Sequence, residues 1–334
     1  MSKPAIRAES LTRDFNGFRA VDSLSFEVAE GELFGLLGPN GAGKTTTINM
    51  LATLLKPTSG KGEVAGFDVV SRKDDVRRSI GVVFQEPALD TKLTGRENLE
   101  FHAMMYGIGK PERRRRIREV LDLVELTDKA GSLVETYSGG MKRRLEISRG
   151  LIHRPEVLFL DEPTLGLDAQ TRRHIWDYIL KLNRDSRVTI VLTTHYMDEA
   201  DTLCRRVAIM DNGRYAAMDT PERLKEILGG DVVSLELREE SAALSDRFLA
   251  SEWIKTVRSC GAELHLTMER GERRIPEIIA AAQAAGVEVV RVNLHKPSLE
   301  DVFLHYTGRR IREESAGRAE RNRAMMRGHM RRKR

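Results

Sequence analysis

The 334-residue chain is 40% apolar and 31% charged, a composition that gives a soluble globular protein with room for two domains and a sizeable core. No apolar run approaches the roughly 18 residues that a spanning helix needs, and "MSKPAIRAES" has no apolar signal core, so a cytoplasmic rather than an integral-membrane or secreted protein is expected. The net charge of +5 is uneven: residues 309–334 hold eleven Lys/Arg and three Glu, which leaves a mildly acidic body of 44 basic and 47 acidic groups.

The first 220 or so residues alternate strand-like and helix-like segments, the pattern of an α/β fold. "LFGLLG" at 33–38 reads as a short buried strand, and "KTTTINMLATLL" after it has helical spacing. "IGVVFQ" at 80–85 is another strand. Residues 93–154 read as helices only, and an all-helical insert in the α/β frame is the natural interpretation. Strands return at "VLFLD" (from Val157), "TIVLTT" (from Thr189) and "RVAIM" (from Arg206), with helices from near Ala169 and Met197 and a hairpin turn at "DNG". "TPERLKEILGG" then carries a Thr cap, a Pro at the first helical position and Gly past the end.

Beyond residue 230 the expected order is strand 232–237, helix 242–250, strands 254–258 and 263–267, helix 275–285 and strand 287–293. This β-α-β-β-α-β succession predicts a small ferredoxin-like α+β domain. "PSLEDVFLHYTG" adds a last helix, with Ser298 and Asp301 at capping-box spacing. The domain expectation is therefore 1–229, with the helical subdomain at about 93–154, then 230–308 and a basic tail at 309–334. Almost no aliphatic side chains occur in the tail, so disorder or marginal helix is expected there. Cys204 and Cys260 share no metal-ligand spacing and are assigned no chemistry.

Gly38, Gly43, Lys44 and Thr45 satisfy G-x-x-x-x-G-K-[ST] between a strand and a helix. Glycines let backbone NH groups curl round phosphate oxygens, the helix aims its positive end there, Lys44 reaches the terminal phosphates, and Thr45 ligates Mg²⁺. Chance would give this pattern in roughly 1% of chains of this length. A glycine-rich turn is the competing reading, and the strand and helix on either side disfavour it. The nucleotide-lining set is Gly38, Pro39, Asn40, Gly41, Ala42, Gly43, Lys44, Thr45 and Thr46.

"VLFLDEP" ends an apolar strand in two acids, where α/β sheets bind ligands. Asp161 is expected in the Mg²⁺ shell, and Glu162 as the base for in-line attack of water on the γ-phosphate. "YSGGMKRRLEI" offers a second helix N-terminus, at Ser138, Gly139 and Gly140, and hence a second anion site. Taken alone, Ser138 would merely cap a helix.

With these motifs in order, residues 1 to about 225 resemble the ATP-binding cassette ATPases, the motor subunits of ABC transporters. The matching stretches are "GPNGAGKTT", "VVFQEP", "YSGGM", "LFLDEPTLGLD" and "TTHYMDEA". The resemblance implies that Phe15 stacks on adenine, with Phe18 as runner-up and simple core as the bland alternative. Gln85 would touch Mg²⁺ or the attacking water, His195 the γ-phosphate, and Asp168 would lie across a dimer interface. Two cassettes would meet head to tail, so that Ser138 and Gly140 of one cap the ATP held by Lys44 of the other. Met141 departs from the glutamine common in the family, and the adenine-stacking aromatic is Phe rather than Tyr. "YSGGM", the length and "PSLEDVFLHYTGR" look like the daunorubicin-resistance branch of drug exporters, with an accessory C-terminal domain.

The expectation is thus an ATP-hydrolysing homodimer, peripheral on the inner face of the membrane, that drives export through a separate permease. The contrasting class is a soluble cassette ATPase acting on nucleic acid or ribosomes through the tail. One phosphate loop, and no inserted coiled coil or zinc ligands, count against it. The tail reads first as a solvated extension, next as a contact for anionic lipid, and last as a nucleic-acid handle. A regulator that binds ATP without turnover is a third class, opposed by Glu162.

Overall fold

The computed structural model describes residues 3–308, so the expected tail at 309–334 lies outside the described residues. These residues form two compact units. One comprises Gly41–Tyr215 with the chain up to Leu37, the other Gly38–Asn40 with the chain from Ala216.

The first unit opens with β1 (Ile6–Phe15), β2 (Phe18–Val28) and β3 (Leu33–Leu37), followed by α1 (Lys44–Leu51), β4 (Ser59–Val64) and β5 (Phe67–Asp68). Next come α2 (Lys73–Ser79), β6 (Ile80–Val83), α3 (Gly95–Met105), α4 (Lys110–Leu123) and α5 (Gly139–Leu151). It continues through β7 (Val157–Asp161), α6 (Ala169–Ser186), β8 (Thr189–Thr194), α7 (Met197–Leu203) and β9 (Arg206–Asp211), and β10 (Arg214–Asp219) starts at its end and runs past Tyr215.

Strands β3, β6, β7, β8 and β9 pair in parallel in a six-stranded sheet of order β10-β9-β3-β8-β7-β6. The sequences "LFGLL", "VLFLD" and "TIVLTT" are buried at every position. A strand covered on both faces needs a continuous apolar run rather than alternation, which is why these segments read so plainly. Sequence order reverses across β3, whose neighbours are β8 and β9, and the carboxyl edge beside such a reversal is where α/β sheets gather ligands. Helices α3, α4 and α5 occupy the stretch between β6 and β7, as the helix-only pattern predicted.

A second sheet of order β2-β1-β4-β5 was not anticipated from sequence. Register shifts interrupt β1 between Ala8 and Leu11 and again after Leu11, and Ser10 has a positive φ of 48°. Bulges break the period of two, so the burial pattern of this strand shows no clean alternation.

In the second unit, α8 (Pro221–Glu226) precedes β11 (Asp231–Leu237), α9 (Ala242–Leu249), β12 (Ile254–Cys260), β13 (Glu263–Met268), α10 (Gly271–Ala284), β14 (Val289–His295) and α11 (Leu299–Thr307). The β-α-β-β-α-β order from β11 to β14 is as expected, and the sheet is antiparallel with order β12-β13-β11-β14. Val233, Leu235 and Leu237 share one face with Leu264, Leu266 and Met268, and they pack with Leu244 and Phe248 of α9 and Ile278 and Ala282 of α10.

Helix α10 starts four residues earlier than expected and contains Pro276. Gly271 donates its NH to Asp231 Oδ2 (2.9 Å), which anchors the new start. A proline inside a helix frees the carbonyl four residues back; that residue, Glu272, is exposed to water. The capping box of α11 forms as read: Ser298 and Asp301 each accept from the other's backbone NH. No helix of the described residues is long and apolar enough to cross a membrane.

Candidate active site

Strand register builds the acidic end of the site. Pairing of β7 with β8 puts Asp161 opposite Thr193. Asp161 Oδ1 accepts from Thr193 Oγ1 (2.5 Å) and from Thr45 Oγ1 (3.0 Å), the latter on the second residue of α1. One residue on, Glu162 has a positive φ of 49°, and its NH donates to Thr193 Oγ1 at 3.0 Å. That left-handed step is unfavourable for a glutamate.

The Glu162 carboxylate bridges two bases: Oε1 lies 3.2 Å from Lys44 Nζ and Oε2 lies 2.8 Å from His195 Nδ1. Lys44 and Glu162 side chains are only 5% and 6% exposed. Burial alone would raise the Glu162 carboxyl; the His195 hydrogen bond and the Lys44 charge outweigh it and hold it below the usual carboxylate range. Burial lowers the Lys44 ammonium, and Glu162 and Asp161 only partly offset that. Removing one partner from such a buried pair leaves an uncompensated charge, which costs about 3–5 kcal/mol.

The glycine loop feeds this cluster. Gly43 has φ 103°, and a Cβ there would come within 2.6 Å of the Ala20 carbonyl. Gly43 stands at the N-cap of α1 and offers no side-chain cap to it.

The second helix end is built differently. Ser138 Oγ accepts from Met141 NH (3.3 Å), and a Cβ on Gly140 would meet Thr171 Cγ2 at 2.5 Å. Thr171 in turn donates its NH (2.9 Å) and hydroxyl (2.6 Å) to Asp168, the cap of α6. Gly140 and Asp168 therefore meet at Thr171, with Ser138 and Gly139 next to Gly140 at the start of α5.

Gln85 lies exposed in the loop after β6. Among the described residues no hydrogen bond joins its side chain to the acidic pair. Phe15 and Phe18 face each other across the tip of the β1–β2 hairpin; Phe15 is 37% exposed beneath the Arg13 guanidinium (4.5 Å), and Phe18 is 62% exposed.

Three residues were missed. Thr193 holds both acids, and its signal was the threonine pair ending β8. Glu199, buried in α7, accepts from Thr164 Oγ1 (2.7 Å) and Trp176 Nε1 (2.9 Å), tying the loop after Glu162 to the helix after His195. Arg143 is 7% exposed and donates to the carbonyls of Phe84, Asp161, Glu162 and Pro163. It falls on the same helical face as Ile147 and Leu151, and an arginine on an apolar face was the available signal.

A family profile described as ABC transporter matches residues 21–165, and one described as the DrrA1-3-like C-terminal domain of ATP-binding proteins matches 220–307. Daunorubicin resistance ATP-binding protein DrrA3 of Streptomyces coeruleorubidus is 40% identical over 318 residues, 94% of this chain and 99% of that protein. The chain belongs to the DrrA family of ABC transporter ATP-binding proteins. Linearmycin resistance ATP-binding protein LnrL of Bacillus subtilis (strain 168) is 38% identical over 92% of this chain and 100% of its own length. Among solved structures, the ATP-binding cassette MJ0796 in a dimeric post-hydrolysis state bound to ADP and Pi is 29% identical with a TM-score of 0.58. That match covers 64% of this chain and 98% of the other. The DrrA-family chain is an ABC ATPase: it binds and hydrolyses ATP as the nucleotide-binding subunit of a transporter.

Proposed function

We propose that two copies of this chain close on two ATP molecules and drive export of a drug-like or other amphiphilic compound through a separate membrane permease, from the inner face of the membrane. The observation that carries this reading is the bridge from Lys44 through Glu162 to His195, set beside the Thr45–Asp161 pair.

Lys44 would take the terminal phosphates, with Gly38, Pro39, Asn40, Gly41, Ala42, Gly43 and Thr46 as the cradle. Glu162 would accept the proton of the attacking water, and His195 would steady that carboxylate and meet the γ-phosphate. The hydroxyl of Thr45 and the carboxylate of Asp161 suit Mg²⁺, which takes hard oxygen ligands and usually needs only one or two protein groups beside phosphates. The metal would neutralise charge on the phosphates, and Gln85 would reach it or the water. Ser138, Gly139, Gly140 and Asp168 would act on the nucleotide of the second copy, and Phe15 would stack on adenine.

The cassette is taken as 1–229 with its helical subdomain at about 93–154, and 230–308 as an accessory ferredoxin-like domain. The names of the daunorubicin and linearmycin resistance relatives support a drug-like cargo. Co-expression with the candidate permease in a drug-sensitive host tests the whole reading: wild type should confer resistance and Glu162→Gln should not. Resistance that survives Glu162→Gln would overturn it.

A further inference from the structure

Arg143 is an oddity on the buried face of α5. Its guanidinium donates to Phe84 O (2.6 Å), Pro163 O (2.7 Å), Asp161 O (3.0 Å) and Glu162 O (3.1 Å), and lies 3.2 Å from Glu146 Oε2. Glu146 is also buried, and its other oxygen accepts from Ala88 NH. Arg143 and Glu146 thus fasten α5 to both ends of the loop that holds Gln85.

Burying a guanidinium is costly unless every donor finds a partner. Here the partners are backbone carbonyls that bracket Glu162. The backbone of Glu162 is left-handed, a conformation that persists only where the surroundings over-determine it. Thr193 holds its NH, and Arg143 holds its carbonyl and those on either side. The same arginine stands one and a half turns from Ser138 on one helix, so a tilt of α5 moves the group that fixes Glu162.

We propose that Arg143 is a positioning residue for hydrolysis: it sets the aim of the Glu162 carboxylate and makes that aim depend on α5. The proposal rests on the role given above to Glu162 and to the second copy's nucleotide. Engagement of Ser138 by that nucleotide then reaches Glu162 of the same chain through one rigid, planar side chain. Lysine is a poor replacement, since a single ammonium cannot span four carbonyls.

The test uses the full-length protein with Arg143→Lys, Arg143→Met, Ser138→Ala and the Ser138→Ala/Arg143→Lys double variant. The readouts are kcat and KM for ATP, nucleotide affinity with a fluorescent ATP analogue, and thermal melting. Arg143→Lys is expected to lower kcat by about tenfold and Arg143→Met by on the order of 100-fold, the penalty for a small misalignment of a reacting group. Nucleotide affinity should shift by less than about threefold, and the double variant should lose less than the product of the single losses. Folded Arg143→Lys with unchanged kcat, or with weakened binding and intact kcat, overturns the positioning role. Multiplicative losses overturn the link to α5. If Arg143→Met does not fold, Arg143→Lys decides alone. Glu162→Gln, assayed in parallel, separates failure of the base assignment from failure of this proposal.

Discussion

Lys44 Nζ and Glu162 Oε1 stand 3.2 Å apart in a setting almost closed to water, although all of α1 to β7 separates them in sequence. A triphosphate seated on the glycine loop would compete with this carboxylate for the lysine. Replacing Glu162 with glutamine should therefore have two effects. Turnover should fall by about 10²–10⁴-fold, the range for loss of a general base, while ATP affinity rises because the competing anion is gone. Steady-state ATPase assays and titration with ATP check both, and size-exclusion chromatography should show an ATP-dependent dimer.

Lys44→Ala strands the Glu162 carboxylate with His195 alone. A stability loss of about 3 kcal/mol is expected, at the low end for a broken buried pair because one partner remains. Adding Glu162→Gln to Lys44→Ala should recover part of that loss. Chemical denaturation of the two single variants and the double variant closes the cycle, and strict additivity would show that the pair is not coupled.

Acid sensitivity should have a component from the helical insert. His102 is pushed down to about 4 by burial and by the charges of Arg149 and His153. Between about pH 6.5 and pH 4 the unfolded chain binds a proton there that the folded chain refuses, so stability from this group falls as pH drops through that window and levels off below it. His153, lowered by burial, acts in the same direction. The drop in melting temperature from pH 7 to pH 5 should be smaller in His102→Gln than in wild type.

Ser298→Ala removes half of the reciprocal cap of α11. A cost of about 1 kcal/mol is expected. The Asp301 carboxyl, raised by burial but lowered further by His295 and Ser298, should move up toward the ordinary range. Hydrogen exchange should localise the loosening to α11, with ATPase activity nearly unchanged.

What could be read from the residues followed how local the physics is. The parallel core was legible because double-sided burial writes itself as apolar runs, and the caps at Ser138, Thr220 and Ser298 because each is settled within four residues. The motifs placed Lys44, Thr45, Asp161, Glu162 and His195, which the fold gathers into one cluster. The bulged β1 was illegible, since its irregularity depends on pairing with β2 and β4. Arg143 and Thr193 were missed because their partners are backbone atoms and side chains contributed by other strands, and no spacing rule reports those.

Strand β8 also measures length. Thr193 and His195 reach the acidic pair, while Thr194, between them, turns to the Tyr196 NH. Within the strand neighbouring side chains leave on opposite sides, and His195 stands in the bend just past its end. Deleting one residue from "TIVLTTH" would exchange the two threonines and swing the imidazole away, so this segment should tolerate conservative spelling changes yet reject any insertion or deletion.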